Sequence, residues 1–202
     1  MHVRPATIDE SRRCAGVVAA ALLHDPVGIR AVRSRHDRLC RMTSLYEAEL
    51  RLGAFRHGHV DVCVVDGEIV GVAAWVAPDP RRSLLETLRQ APRYVHAIGP
   101  AHAMSALRSL RIRRRARPVH PHWLLADVAV AEHARGDGIG GALLEHGLDR
   151  IDGATYLEST TAASQRLYER HGFVVRTHIG LAPGGFPVGM WREPTRAPAL
   201  HR

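Results

Sequence analysis

The chain has 202 residues, 46% of them hydrophobic and 24% charged. That length and balance suit one ordinary domain, and they exclude a disordered, collagen-like or coiled-coil chain and a large multi-module assembly. All 28 basic residues are Arg, with neither Lys nor Asn present, which fits a GC-rich coding bias; the formal net charge of +8 is local, because residues 87–126 hold eight Arg and no Asp or Glu.

In chain order, Val3 to Ala6 predicts a short strand. Thr7-Ile8-Asp9-Glu10 is a capping box, and Ile8, Ala15, Val18 and Leu22 recur at helical spacing behind it. Arg12-Arg13 before the weakly apolar run Cys14 to Leu23 imitates a twin-arginine leader, but Asp9 and Glu10 precede it and His24-Asp25-Pro26 is a poor cleavage region, so a helix is expected. Cys14, Cys40 and Cys63 are odd in number and form no C-x-x-C pair, which points to a reducing cytoplasm. No apolar run approaches the roughly 18 residues that span a bilayer, so no membrane partner is expected.

A second helix is expected from about Val32 to Leu52. Val60 to Val65 and Glu68 to Val76 flank Asp66-Gly67, the favoured two-residue hairpin turn. A helical region from about 82 to 116 carries the Arg excess and is punctuated by prolines. Trp123 to Val130 predicts a strand and Ile139 to Asp149 a helix. Ala154 to Glu158 is a second strand, Ala162 to His171 a second helix, and Phe173 to Ile179 and Val188 to Trp191 a last pair of strands. This alternation predicts an α/β fold, a mixed central sheet with helices on both faces, in one domain over 1–193 with a flexible tail over 194–202.

Between the strand ending at Val130 and the next helix lies Arg135-Gly136-Asp137-Gly138-Ile139-Gly140-Gly141, where free backbone amides and the helix dipole attract phosphate. Gly136, Gly138 and Gly141 also spell G-x-G-x-x-G. A dinucleotide unit, however, places that motif directly after its first strand and needs several strands beyond, whereas five residues follow Val130 and only 44 follow Glu158. The longer pattern Arg135-x-x-Gly138-x-Gly140, after the strand LLADVAV, resembles motif A of the GNAT superfamily of N-acetyltransferases. Tyr156 to Phe173, YLESTTAASQRLYERHGF, resembles motif B of the same superfamily. The triplets PHW at Pro121 to Trp123 and YLE at Tyr156 to Glu158 are most similar to the puromycin N-acetyltransferase-like branch.

The resemblance implies a GNAT acyltransferase fold and acetyl-CoA as acyl donor. By resemblance, the loop Arg135, Gly136, Asp137, Gly138, Ile139, Gly140 and Gly141 would cradle the pyrophosphate, while the strand Val128, Ala129 and Val130 splays from its neighbour and pairs with the pantetheine arm. Ser164, Leu167 and Tyr168 of the motif B helix would complete the cofactor site, with Ser164 standing where the family usually has Asn. Tyr168 is the expected general acid, because a phenol of pKa about 10 stays protonated and can serve a thiolate of conjugate pKa about 8.5. The acceptor amine must lose a proton by direct abstraction or through a water chain, and Glu158 is the carboxylate best placed by resemblance. Asp127 competes, because a carboxylate interrupting an apolar strand must face a cleft or hold a partner. No metal is expected: His57-x-His59 and His120-x-His122 lack a third ligand at sensible spacing.

Six Arg lie between Arg108 and Arg117. They form a solvated helix end, a nucleic-acid surface without stacking aromatics, or a contact with cofactor phosphate or an acidic substrate. The expected activity is acetyl transfer to a primary amine, on a small and antibiotic-like molecule or else on a protein, with nucleic-acid binding as the rival function. Oligomeric state is not written in the sequence, and a homodimer stays open.

Overall fold

The structure is a computed structural model that describes residues 1–25, 29, 32, 36–78, 84–99, 102–180 and 185–194. In chain order, β1 (His2–Pro5) leads through a 3₁₀ turn at Ile8–Glu10 into α1 (Ser11–Ala21). Next come α2 (Arg38–Leu52), α3 (Ala54–His57) and the hairpin β2 (Gly58–Val65) and β3 (Glu68–Val76). Two further helices, α4 (Leu84–Ile98) and α5 (Ala103–Ala116), precede β4 (Trp123–Val130), α6 (Ile139–Leu148), β5 (Thr155–Ser159), α7 (Ala162–Arg170), β6 (Val174–His178) and β7 (Val188–Arg192). Among the described residues, seven strands form one sheet in the order β1-β2-β3-β4-β5-β7-β6. β4 and β5 are parallel, and the other neighbours are antiparallel. The expected mixed sheet is therefore present.

Local chemistry explains most boundaries. Asp66 and Gly67 both have positive φ, 49° and 81°, the geometry that matches the twist of a two-residue hairpin. Glu10 accepts from the Thr7 backbone N–H at 3.0 Å, and the same buried carboxylate is gripped by Arg4 at 2.8 Å and Arg13 at 3.1 Å. Those contacts, the Arg4 hydrogen bond first, hold its titration well below the usual carboxylate range, at about 2. Ile8, expected on the apolar face of the first helix, is 46% exposed; the 3₁₀ turn places it outside, and Cys14, Ala15, Val18 and Ala19 make the buried face instead. The helical region expected from about 82 to 116 comprises two helices, α4 and α5, with Gly99 at positive φ ending the first; Pro92 sits inside α4. The second helix begins at Arg38 rather than Val32, and the expected tail lies outside the described residues apart from Pro194.

Two cores sandwich the sheet. On one face α1, α2 and Ala97 of α4 bury Val18, Met42, Leu45, Tyr46 and Leu50 against Val60, Val62, Val72, Ala74 and Ala129. On the other, α6 and α7 cover Cys63, Ala73, Trp75, Leu125 and Leu157 with Ile139, Leu143, Leu144 and Tyr168. Gly147 lets α6 lie flat on Trp75, since a Cβ there would stand 2.4 Å from the buried indole. Cys14, Cys40 and Cys63 are free thiols. Among the described residues, no helix is long and apolar enough to cross a membrane.

Candidate active site

The site forms where two neighbouring parallel strands part. β4 pairs with β5 only through Trp123–Thr155, Leu124–Tyr156 and Leu125–Leu157, and past Leu125 the strand ladder between them ends. On its other edge β4 runs on along β3 to Gly71–Val130. The register slips there, so that Leu125 faces Trp75 while Asp127 faces Ala74. Ala126 is the extra residue of this bulge, a device that bends a strand and re-aims its side chains. Beyond it, alternation puts Ala129 in the α1–α2 core and Val128 and Val130 against the α6–α7 core. Amide and carbonyl groups on the open edge of Val128 to Val130 are thus offered to an extended ligand.

The glycine-rich turn stands at the far end of this edge. Gly138 is the N-cap of α6 at φ +78° and Gly136 has φ +99°, conformations that favour glycine, and no side chain caps the helix. The amides of the first turn of α6 therefore face outward at the positive end of the helix dipole. A Cβ on Gly140 would meet Leu167 at 3.4 Å and Val130 at 3.9 Å, so its absence keeps a passage between α6, α7 and β4. Ile139 is buried and serves packing, whereas Asp137 is exposed. The Arg135 guanidinium turns to the carbonyls of Val130, at 3.4 Å, and Ala21, at 3.3 Å, bracing the turn against α1. The Ser164 hydroxyl lies within the N-terminal cap of α7, 2.7 Å from the Ser159 hydroxyl and 2.9 Å from that of Thr161.

Three titratable side chains surround the opening, and each has a different environment. Tyr168 is 8% exposed, packed edge-on to Phe173 at 6.0 Å, and its hydroxyl has no hydrogen-bond partner among the described residues. Burial, and then the Asp127 charge, push that hydroxyl above the usual phenol range. Burial also pushes Asp127 up to about 7, with Glu49 of α2 adding to the shift and Arg113 opposing it. Glu158 has a side-chain exposure of only 4% and is held by two cations: Arg113 donates to Oε2, and the Arg117 Nε lies 3.5 Å from Oε1. Two members of the arginine block, half-buried, thus turn inward and pair with Glu158 at the end of β5. Arg108, Arg111, Arg114 and Arg115 remain exposed.

Sequence reasoning missed these pairings and the buried Tyr46, whose hydroxyl burial and then the Asp127 charge push up. Arg113 and Arg117 are four apart on one helical face, a spacing that was visible but says nothing about which carboxylate it meets. One histidine of each pair is drawn into packing. His59 lies 3.7 Å from the buried Asp61, and His122 packs edge-on against Tyr156 and Trp191. Among the described residues no group of three is arranged to hold a metal ion.

A family model described as an acetyltransferase (GNAT) domain matches residues 104–175, the span that contains the split strands and the glycine-rich turn. A solved structure from Corynebacterium glutamicum, described as histone acetyltransferase HPA2 and related acetyltransferase, is 33% identical over 97% of each chain with a TM-score of 0.76. The chain belongs to the GNAT family of acetyltransferases. Two more distant structures share its fold. The Salmonella typhimurium yncA structure, solved with acetyl-CoA, is 20% identical over 98% of this chain and 96% of that one, with a TM-score of 0.56. The paia N-acetyltransferase from Thermoplasma acidophilum, in complex with coenzyme A, is 10% identical over 95% and 98%, with a TM-score of 0.55. As a GNAT acetyltransferase the chain takes acetyl-CoA as acyl donor. The open β4 edge, the outward amides before α6 and the passage kept by Gly140 fit an extended, pyrophosphate-bearing group.

Proposed function

We propose that this GNAT acetyltransferase acetylates a primary amine of a small molecule in a ternary complex, with Asp127 as proton acceptor and Tyr168 as proton donor. The observation that carries this assignment is the placement of the two groups. Asp127 follows the bulge where β4 leaves β5, and Tyr168 belongs to the opposite core, close enough for its hydroxyl to feel the Asp127 charge.

Acetyl-CoA supplies an activated thioester carbonyl. The amides of Gly136 to Gly141 would hold its pyrophosphate, and the Val128 to Val130 edge would pair with its amide-bearing arm and orient the carbonyl. Asp127 takes a proton from the acceptor ammonium, which frees the nitrogen lone pair to form the new N–C bond as the C–S bond breaks. Tyr168 delivers its hydroxyl proton to the departing sulfur, and the second proton shed by the newly acylated nitrogen returns to the tyrosine oxygen. Glu158, with both oxygens faced by guanidinium groups, is assigned to holding α5 in place.

The acceptor is drawn as a small molecule because Asp127 sits between α2 and the basic end of α5, a walled approach that suits a slender amine, and because the PHW and YLE triplets are similar to the puromycin-modifying branch. A protein amine is the second reading, favoured by the Corynebacterium relative's description as a histone acetyltransferase. The free thiols support a cytoplasmic setting.

Thiol release from acetyl-CoA, measured across a panel of small amines and a lysine-rich peptide, separates these readings. Release with small amines is expected; release with the peptide alone supports the second reading, and release with neither overturns both. In wild type, kcat/KM should fall below pH about 7 as Asp127 protonates. Asp127→Asn should lose about 10²–10⁴-fold in rate, and full activity in that variant would remove Asp127 from the mechanism.

A further inference from the structure

The basic block of α5 was the feature that the family assignment left unexplained, and its inward-turned members give it a role. Arg113 donates to Glu158 Oε2 and Arg117 approaches Oε1, and these ion pairs join the end of α5 to the sheet at the mouth of the β4–β5 opening. Arg113 also bears on Asp127, whereas Arg117 does not: the charges acting on Asp127 are Glu49 and Arg113. Burial opposes the Arg113 cation, yet Glu158, Glu49 and Asp127 together hold its titration above the ordinary value, so it stays charged in the site.

We propose that Arg113 is a positioning residue for acetyl transfer: its ion pair with Glu158 ties the end of α5 to the mouth of the β4–β5 opening and holds a positive charge against Asp127. This rests on Asp127 being the proton acceptor. The groups facing Asp127 are Tyr46 and Glu49 of α2, Arg113 of α5 and Tyr168 of α7. Burial and Glu49 favour its neutral form, and Arg113 is the one cation among them that favours the carboxylate. Without that cation, the carboxylate that must receive the acceptor's proton would be populated only at higher pH.

The direct test uses full-length protein with ¹³C-labelled aspartate carboxyls and follows their shifts with pH, with Asp127 assigned as the resonance missing from Asp127→Asn. The wild-type midpoint should lie near about 7. In Arg113→Gln it should move up by roughly half a unit or more, since a nearby opposite charge shifts a carboxyl by units of that order. Arg113→Lys, which keeps the charge, should restore the wild-type midpoint. Arg117→Gln should also titrate at the wild-type midpoint, because it cuts a tie to Glu158 without touching the charge on Asp127. Should the glutamine variant fail to fold, Arg113→Met, which keeps the apolar stem, gives the same comparison.

An elevated midpoint that ignores Arg113→Gln overturns the proposal alone. Equal shifts in Arg113→Gln and Arg117→Gln make the effect one of lost tethering and also overturn it. A wild-type Asp127 that titrates in the ordinary carboxylate range takes down the proton-acceptor assignment, and the proposal with it.

Discussion

In the proposed mechanism Tyr168 and Asp127 do opposite proton work, and burial moves both in the same direction. Taking a side chain out of water penalises its charged form, so the phenol keeps its proton and the carboxylate gains proton affinity. A donor that never ionises at neutral pH and an acceptor poised near about 7 are what acetyl transfer from a thioester to an amine requires. Tyr168→Phe removes one oxygen from a buried ring that packs edge-on against Phe173 and leaves the packing in place. Its kcat should fall about 10²–10³-fold while acetyl-CoA affinity by calorimetry stays nearly constant; unchanged turnover would assign Tyr168 to the core alone. Both residues could be named from sequence because their surroundings are local, a tyrosine before E-x-x-G-F and a charge inside an apolar strand. The choice between Asp127 and Glu158 could not be made there. It depends on Arg113, 45 residues from Glu158 in the chain.

At the level of elements, α6 does the positioning. Its N-terminus carries the glycine turn, and its C-terminal half lies on β3 through Gly147. Replacing Gly147 by Ala gains up to about 1 kcal/mol of helix propensity. It also drives a Cβ to 2.4 Å from the Trp75 indole, which is fully buried and has no free end to yield. Overpacking of this kind costs about 1–3 kcal/mol, so the clash wins and a net loss of about 1–2 kcal/mol is expected in denaturant unfolding. Gly16→Ala in α1, where a Cβ meets nothing within 4 Å, should instead raise stability by up to about 1 kcal/mol. Equal effects of the two substitutions would contradict this packing. The strands and the α6 and α7 helices were legible because hydrophobic alternation, the Asp66-Gly67 turn and the glycines before α6 are short-range signals. The split of the Arg-rich region into α4 and α5 was less so, because a helix with an internal Pro92 and a break at Gly99 has the same composition as one irregular helix.

For the whole molecule, the net charge of +8 invites a nucleic-acid surface, and the fold changes that picture. Two of the block's arginines are paired with Glu158, while the turn proposed to hold phosphate lies elsewhere, before α6. Acetyl-CoA at 100 times its dissociation constant should stabilise the fold by about 2.7 kcal/mol, which for a chain of this size raises the melting temperature by about 5–10 °C. No shift at millimolar acetyl-CoA would contradict the assigned donor. By itself the sequence determined the order of strands and helices, the family and the residues from Arg135 to Tyr168 that carry it, because those motifs are contiguous and their chemistry is local. Only the tertiary structure showed that Glu158 is paired with Arg113 and Arg117 while Asp127 is buried beside Glu49, and so where two members of the arginine block turn. Proton affinity and ion pairing are set by burial and by neighbours across the sheet, and chain spacing encodes neither.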